Sequence, residues 1–209
     1  MITLWHLFVK LTAWPVQFLC FRTKVYYEDR QASGRRIRGP AIIISNHTSV
    51  FDYAVFLFVF YSRTLRYQMA EVLFKKRGLG LFLRMMGGIY VDRDALDFGF
   101  IAESEEILEK GGVVGIFPES RLPRPEEERP LEFKTSCAFL ALSSGVPVIP
   151  VYTNGSYFRR ERAKVMIGKP ILAETLRDPS LGEKENLALV SAKLRESVIR
   201  LEKMLNERE

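Results

Sequence analysis

Short apolar runs recur along the chain and predict the strands of a sheet. The first, AIIIS at 41–45, ends directly at a polar cluster, which is typical of a buried strand. VPVIPV at 146–151 also reads as extended chain, but its two prolines disfavour a central strand, because proline cannot donate a ladder hydrogen bond. Further runs predict strands at 66–69, 88–91, 113–117 and 164–168.

Helical patterns lie between these strands. Residues 49–63, 71–86, 95–110 and 134–144 are predicted helices, and residues 118–133, which contain four prolines, form a long loop. A last helix carries apolar residues three or four positions apart, and we expect it to pack on the core: Leu187, Val190, Leu194, Val198, Leu201 and Leu205. Strands that alternate with helices over short connections predict an α/β fold, with a mostly parallel sheet flanked by helices.

The N-terminal segment 2–21 is apolar around most of a helix. A narrow polar stripe remains when the segment is placed at about 100° per residue: Thr3, His6, Lys10 and Gln17. This pattern is typical of an amphipathic helix that lies in a membrane interface, and a helix packed on the core is the alternative. A spanning helix fits by length, although Lys10 lies mid-segment and Pro15 would kink it. A signal peptide is disfavoured, because there is no basic start and no small-residue cleavage site.

The charge of the chain is concentrated near its N-terminus. The net charge is +6, and residues 1–38 hold seven basic against two acidic side chains. A basic segment beside an apolar helix predicts contact with an anionic membrane surface. We therefore divide the chain into a membrane-associating segment, 1–38, and an α/β domain, 39–209. No nucleic-acid-binding motif is present, so no nucleic-acid partner is expected.

Cysteine and histidine usage limits the remaining classes. The chain has two cysteines, both in apolar surroundings, and two histidines. This cysteine content predicts no disulfide framework and favours a protein in the cytoplasm or at the cytoplasmic face of a membrane. Without a Cys/His cluster, no metal site is expected.

Polar clusters follow four of the predicted strands. They are NHTSVFD at 46–52, Asp92-Arg93, PESR at 118–121 and YTNGS at 152–156. If the strands are parallel, their carboxyl ends lie at one edge of the sheet, where sites form in open α/β folds. The order of the clusters alone therefore predicts an active site at that edge.

His47 and Asp52 are the strongest candidates for chemistry. Ser49 fits the N-cap of the helix that follows, with Asp52 in its first turn. Because helical side chains tilt toward the N-terminus, the Asp52 carboxylate would point back at His47 and make it a positioned general base. The alternative is structural: Asp52 only caps the helix, and His47 is a core histidine bonded to the backbone.

These motifs resemble those of a known family. NHTSVFD resembles the N-H-x4-D box of the glycerolipid acyltransferases, the family of 1-acyl-glycerol-3-phosphate acyltransferase. GGIYVDR, FPES and VPVIPV are similar to the second, third and fourth motifs of that family, in the same order between residues 41 and about 170. An N-terminal membrane-associating helix also occurs there.

The resemblance implies a reaction and roles for individual residues. A fatty acyl group would pass from acyl-CoA or acyl carrier protein to a lysophospholipid hydroxyl, without a cofactor. His47 would take the hydroxyl proton, and Asp52 would hold and polarise His47. The remaining motif residues divide into supporting positions, Asn46 and Ser49, and positions for the glycerol phosphate of the acceptor: Arg93, Glu119, Ser120 and Arg121.

The third motif departs from the family pattern. Ser120 replaces the usual glycine, Leu122 stands at the usual basic position, and Arg121 and Arg124 are the nearby cations. This departure leaves two alternatives for the acceptor: 1-acyl-glycerol-3-phosphate, or another lysolipid such as a lyso-ornithine lipid. A non-enzymatic membrane-lipid-binding module is a further alternative.

Overall fold

A seven-stranded sheet forms the centre of the molecule in the computed structural model, which describes residues 1–92, 98–158 and 161–208. The strands are β1 Lys24–Tyr27, β2 Ala41–Ser45, β3 Leu65–Ala70, β4 Ile89–Val91, β5 Val113–Ile116, β6 Val148–Thr153 and β7 Lys164–Ile167. They lie in the order β1-β7-β6-β2-β5-β3-β4. All neighbouring strands are parallel except β6 and β7, which confirms the predicted mostly parallel sheet.

Helices cover both faces of this sheet. They are α1 Ile2–Val16, α2 Asp52–Val59, α3 Glu71–Phe74, α4 Arg77–Met85, α5 Gly99–Glu109, α6 Thr135–Ser144 and α7 Glu183–Asn206. A π-helical turn, Gln17–Phe21, continues α1, and a 3-10 turn spans Ala173–Leu176. One face packs against α1 to α4 and the other against α5 to α7.

The central strand β2 is buried on both sides. Ile43 belongs to the cluster that holds Phe56 of α2, whereas Ile42 and Ile44 belong to the cluster that holds Val198 of α7. Successive side chains of a strand point to opposite faces, so a strand covered on both faces needs a continuous apolar run. The run 41–45 thus places the end of β2, and the polar cluster that follows, at the middle of the sheet edge.

Two predicted helices have different bounds. The predicted helix 49–63 is limited to α2, and the predicted helix 71–86 is two helices, because Lys76 takes an extended conformation with ψ 111°. The two helices then approach closely: a Cβ at Gly80 would lie 2.3 Å from the carbonyl oxygen of Phe74. The predicted helix 95–110 begins at Gly99 in the described part of the chain, and residues 95–97 lie outside it.

The expectation that the proline-containing strand is not central is wrong. Strand β6 has β2 on one side and β7 on the other. The carbonyl of Pro150 accepts a hydrogen bond from Gly168 N at 2.8 Å, so the backbone of Pro150 faces the β7 side. The β6–β7 ladder begins one residue later, at Val151, and the missing N–H of Pro150 therefore costs no bond toward β2.

Strand β1 was missed from the sequence. It pairs only with β7, at the edge of the sheet, and its side chains are partly exposed. An edge strand of this kind lacks the apolar run that marks the central strands. Part of the segment 1–38 is thus built into the sheet, while the domain division at residue 38 stays a prediction.

The polar stripe of α1 faces the protein. His6 is 2% exposed and its Nε2 donates to Met86 O at 2.8 Å. Lys10 Nζ donates to Tyr61 O at 3.0 Å and to Arg63 O at 2.7 Å, just beyond the end of α2. The stripe therefore docks α1 through backbone carbonyls that water would otherwise solvate.

The apolar face of the same helix is left uncovered. The exposed large side chains are Leu4, Leu7, Phe8, Leu11, Trp14, Val16, Phe18 and Leu19. Together α1 and the π-helical turn form a 20-residue helix that, by length and composition alone, could cross a membrane. An apolar surface of this extent is unusual for a protein surface in water and marks an interaction face.

Candidate active site

The polar clusters that follow β2, β5 and β6 converge at one edge of the sheet. Strands β2, β3, β4, β5 and β6 all point the same way, so the residues that follow β2, β5 and β6 lie side by side. The segment after β2 is central, with the loop after β5 on one side and the loop after β6 on the other. This geometry follows from the parallel order of the strands.

A histidine–carboxylate pair stands at the centre of this edge. His47 Nδ1 lies 2.8 Å from Asp52 Oδ2. Asp52 is fully buried, and the His47 side chain is 19% exposed. Because every other contact of the carboxylate is with a donor, it is an acceptor, and Nδ1 carries the proton. Nε2 is left as a basic atom without a hydrogen bond to any described residue, and His47 lines a cavity.

The Asp52 carboxylate accepts four further hydrogen bonds. Oδ2 receives Thr48 N at 2.7 Å and Ser49 N at 2.9 Å. Oδ1 receives Thr48 Oγ1 at 2.8 Å and Tyr157 OH at 2.6 Å. A buried charge is costly unless it is satisfied in this way, and the donors fix both oxygens of the carboxylate.

Ser49 does not cap the helix as predicted. Helix α2 begins at Asp52, with Phe51 as its N-cap and no side-chain cap bond. The hydroxyl of Ser49 instead accepts Phe51 N at 3.2 Å, while Ser49 N donates to Asp52. The turn at 50–51 separates Ser49 from the helix, so its backbone, and not its hydroxyl, supports the carboxylate.

Glu119 supports the histidine from the side of β5. It is 3% exposed, and its Oε1 and Oε2 accept His47 N at 2.7 Å and Leu131 N at 2.8 Å. Burial raises the pKa of Glu119, and the two backbone donors and the His47 charge oppose that rise. The partners of Glu119 within the described chain are thus two backbone amides.

Asn46 supports the same segment from the side of β6. Its Nδ2 donates to Thr153 O, and its Oδ1 accepts Thr153 N, both at 2.9 Å. This side-chain amide continues the β2–β6 pairing for one more residue past the strand end. The segment 46–52 is therefore held on both sides by neighbouring strand ends.

Tyr157 was not identified from the sequence. It is 6% exposed, one residue beyond the YTNGS cluster, and its hydroxyl also lies 3.0 Å from Thr153 Oγ1. Burial and the nearby Asp52 charge raise its pKa well above the ordinary value, so the hydroxyl stays a donor at neutral pH. Its position next to a polar cluster at a strand end was the available signal.

A large apolar cavity opens beside His47. Its volume is about 750 Å³. The His47 ring stacks on Phe117 at one end, with ring centroids 4.2 Å apart. The cavity is lined largely by apolar side chains from the turn before α2, from α2, α3 and α4, and from the ends of β3 and β5, among them Val50, Tyr53, Met69, Leu73, Leu79 and Leu83. Such a space fits an extended hydrocarbon chain.

Ser120 and Arg121 of the third motif have different surroundings. Ser120 lines the cavity and has φ +59°, in the left-handed region, which explains why glycine is usual at this position. Arg121 does not reach Glu119, because its guanidinium donates to both oxygens of Glu127, at 2.7 and 2.6 Å. Arg93 lies outside the described residues.

Lys134 is a cation that sequence reasoning missed. Among the described residues that line the cavity, it is the one lysine or arginine. Its side chain is exposed and makes no hydrogen bond or ion pair within the described chain. It precedes α6 and follows the long loop, so only the path of that loop brings it to the cavity. Across the described ranges no group of three or more His, Cys, Asp and Glu side chains forms a metal site.

Sequence comparisons identify relatives of this chain. The chain is 28% identical over 149 residues to a 1-acyl-sn-glycerol-3-phosphate acyltransferase of Bacillus subtilis, covering 68% of this chain and 71% of that protein. It is 23% identical over 172 residues to the human 1-acyl-sn-glycerol-3-phosphate acyltransferase beta, covering 80% of this chain and 61% of the human one.

A solved structure shares the fold. The crystal structure of the 1-acyl-sn-glycerophosphate (LPA) acyltransferase PlsC from Thermotoga maritima matches with a TM-score of 0.61 and 19% identity, over 96% of this chain and 95% of that one. A family model described as Acyltransferase matches residues 22–154, which hold His47, Asp52 and Glu119. The chain belongs to the acyltransferase family.

Proposed function

We propose that the protein moves a fatty acyl group from an acyl-CoA or acyl carrier protein thioester to the hydroxyl of a lysophospholipid. The preferred acceptor is 1-acyl-glycerol-3-phosphate, which would give phosphatidic acid. The observation that carries the proposal is the pairing of His47 with buried Asp52 beside an apolar cavity of about 750 Å³. The alternative, a protein that only binds lipid, explains neither the buried His47–Asp52 pair nor the membership of the acyltransferase family.

The proposed reaction needs one base and no covalent intermediate. His47 Nε2 takes the proton of the acceptor hydroxyl as the oxygen attacks the thioester carbonyl. The tetrahedral intermediate collapses, the C–S bond breaks, and the imidazolium returns its proton to the departing thiolate. Asp52 keeps Nδ1 protonated and stabilises the imidazolium between the two steps. The cavity holds an acyl chain and excludes water from the thioester.

The acceptor headgroup depends on the cations near the cavity. Within the described chain the Lys134 side chain has no partner, whereas Arg121 is held by Glu127. We therefore assign Lys134 as the ligand of an acceptor phosphate and Arg121 as a residue that reaches it only after leaving Glu127. The engaged Arg121 also favours a second candidate, a lysolipid without a phosphate monoester, such as a lyso-ornithine lipid.

The protein is proposed to act at the cytoplasmic face of a membrane. The uncovered apolar face of α1 suits the acyl-chain region of an anionic bilayer, and the basic residues of 1–38 suit its headgroups. Both substrates carry acyl chains, so a membrane-bound enzyme meets its acceptor where the acceptor resides.

His47→Ala is expected to lower turnover by roughly 10²–10⁴-fold, the usual loss on removing a general base. Asp52→Asn is expected to lower turnover as well, because a neutral amide no longer stabilises the protonated His47 as a carboxylate does. Turnover is measured as release of the free thiol from the acyl thioester, with 1-acyl-glycerol-3-phosphate as the acceptor. His6→Gln is the matched control, since glutamine can still donate to Met86 O. Near-normal turnover in folded His47→Ala would exclude the mechanism.

Glu119→Gln tests whether Glu119 holds the loop or binds the acceptor. The new NH₂ group would face the amide of either His47 or Leu131, so one hydrogen bond is lost. We expect kcat to fall about tenfold and stability to fall by about 1–3 kcal/mol, with little change in acceptor KM. Glu132→Gln, an exposed change in the same loop, is the control. A rise in acceptor KM alone would show that Glu119 contacts the substrate.

With 1-acyl-glycerol-3-phosphate as the acceptor, Lys134→Gln is expected to raise the acceptor KM by roughly 10- to 100-fold. This is the usual effect of losing one hydrogen bond to a charged group. An acceptor without phosphate should be affected little. Arg121→Ala in the same assay should cost less, because Glu127 already binds its guanidinium. Equal losses for both acceptors would mean that Lys134 supports the fold and does not bind phosphate.

Replacing Leu7 and Leu11 together by Asp should release the protein from anionic vesicles in a sedimentation assay. Both side chains are exposed on the outer face of α1, so the docking of the helix is left intact. High salt alone should weaken binding only in part, because the apolar face contributes beside the charges. Leu172→Asp with Leu181→Asp, also exposed, is the control. Full sedimentation of the α1 variant would refute the membrane assignment.

A further inference from the structure

One of the five donors to Asp52 differs from the others in its origin. Four come from His47, Thr48 and Ser49, which belong to the same short segment as Asp52 itself. The fifth is the hydroxyl of Tyr157, which is 105 residues away along the chain and follows β6. The four local donors belong to the segment itself, so within the described chain Tyr157 is the one donor that ties the carboxylate directly to another part of the chain.

The contact between Tyr157 and Asp52 is short and buried. Tyr157 OH lies 2.6 Å from Asp52 Oδ1, and the tyrosine is 6% exposed. A hydroxyl that donates to a buried carboxylate makes a charge-assisted bond, which is stronger and more directional than a neutral one. Since Oδ1 is held by Tyr157 and Thr48, the other oxygen, Oδ2, stays directed at His47 Nδ1.

The ring of Tyr157 is held by the N-terminal segment. Phe21, the last residue of the π-helical turn, meets the ring edge-on, with centroids 5.5 Å apart and planes at 84°. The backbone that follows Tyr157 is tied to the same turn, because Phe158 N donates to Cys20 O and Ala163 N donates to Phe21 O, both at 3.2 Å. The helix that carries the membrane face therefore ends against the residue that holds Asp52.

We propose that Tyr157 is a positioning residue for acyl transfer: it fixes Asp52 so that the carboxylate stays aligned with His47, and Phe21 keeps its ring in place. The inference rests on the proposed function of His47. It assigns to the N-terminal segment a part in turnover, in addition to membrane binding. Replacing Tyr157 or Phe21 should lower kcat, because the alignment of Asp52 with His47 matters most when His47 carries the proton.

The test compares two tyrosines in detergent micelles, where attachment to a bilayer does not limit the rate. Tyr157→Phe removes the hydroxyl bonded to Asp52. Tyr152→Phe is the matched control, because Tyr152 OH donates to Glu202 at 2.9 Å on the opposite face of the sheet. We expect Tyr157→Phe to lower kcat about tenfold with acceptor KM within about twofold, and Tyr152→Phe to leave both unchanged.

A double variant tests whether Tyr157 acts through Asp52. In an Asp52→Asn background, Tyr157→Phe should not lower kcat any further. An unchanged kcat, or a full second loss in that background, would overturn the proposal.

A spectroscopic measurement separates this inference from the proposed function. The chain has two histidines, and His6 Nδ1 has no partner within the described chain, so the hydrogen-bonded Nδ1 proton of ¹⁵N-histidine-labelled protein belongs to His47. Tyr157→Phe should shift or broaden that resonance, and Tyr152→Phe should not. An unmoved resonance overturns the positioning role even if no acyl transfer is found. Absence of acyl transfer in the wild type, with the resonance moved, would instead refute the proposed function.

The contribution of Phe21 is tested in the same assay. Phe21→Leu should lower kcat about threefold with Tyr157 present and not at all in the Tyr157→Phe background, the behaviour of two residues that act through one contact. Phe139→Leu is the control, since Phe139 lies on α6, away from the N-terminal segment, and is 47% exposed. Equal losses in both backgrounds, or an equal loss for Phe139→Leu, would show that Phe21 does not act through Tyr157.

Discussion

The buried charge of Asp52 is the constraint on which the rest of the site depends. A fully buried carboxylate is stable only when its oxygens are saturated with donors. Three neighbouring residues, His47 to Ser49, fold around it to supply most of them, and this arrangement turns the end of β2 into a tight loop before α2. The histidine is thereby oriented with Nδ1 toward Asp52, and its side chain lines the cavity.

The position of β2 in the sheet makes this arrangement rigid. Its neighbours β5 and β6 end beside it, and each sends a side chain or backbone group across: Glu119 binds the amide of His47, and Thr153 pairs with Asn46. Residues on three strand ends therefore hold one loop. The same packing joins the site to the N-terminal helix, because Phe21 and Tyr157 lie in one cluster with the residues under α2.

The parts that the sequence predicted are those with local causes. The apolar run 41–45 marked a strand buried on both faces, and the spacing from His47 to Asp52 placed both groups in one turn. The partners of Glu119 could not be predicted, because they are backbone amides set by the path of a long loop. The pairing of Arg121 with Glu127 could not be predicted from spacing either, because Ser120 lies in the left-handed region and the loop turns the guanidinium toward Glu127. Tyr157 and Lys134 reach the site from distant parts of the chain, and edge strand β1 lacks a strong pattern.

The central claim is that His47 activates the acceptor for direct attack on the thioester. It is tested most directly by mixing the protein with a labelled acyl thioester, first without and then with 1-acyl-glycerol-3-phosphate, and measuring thiol release and the intact protein mass. The account predicts that thiol release requires the acceptor and that the protein mass never increases by an acyl group. An acyl-protein adduct that forms without acceptor, and passes its acyl group to the product when acceptor is added, would contradict it.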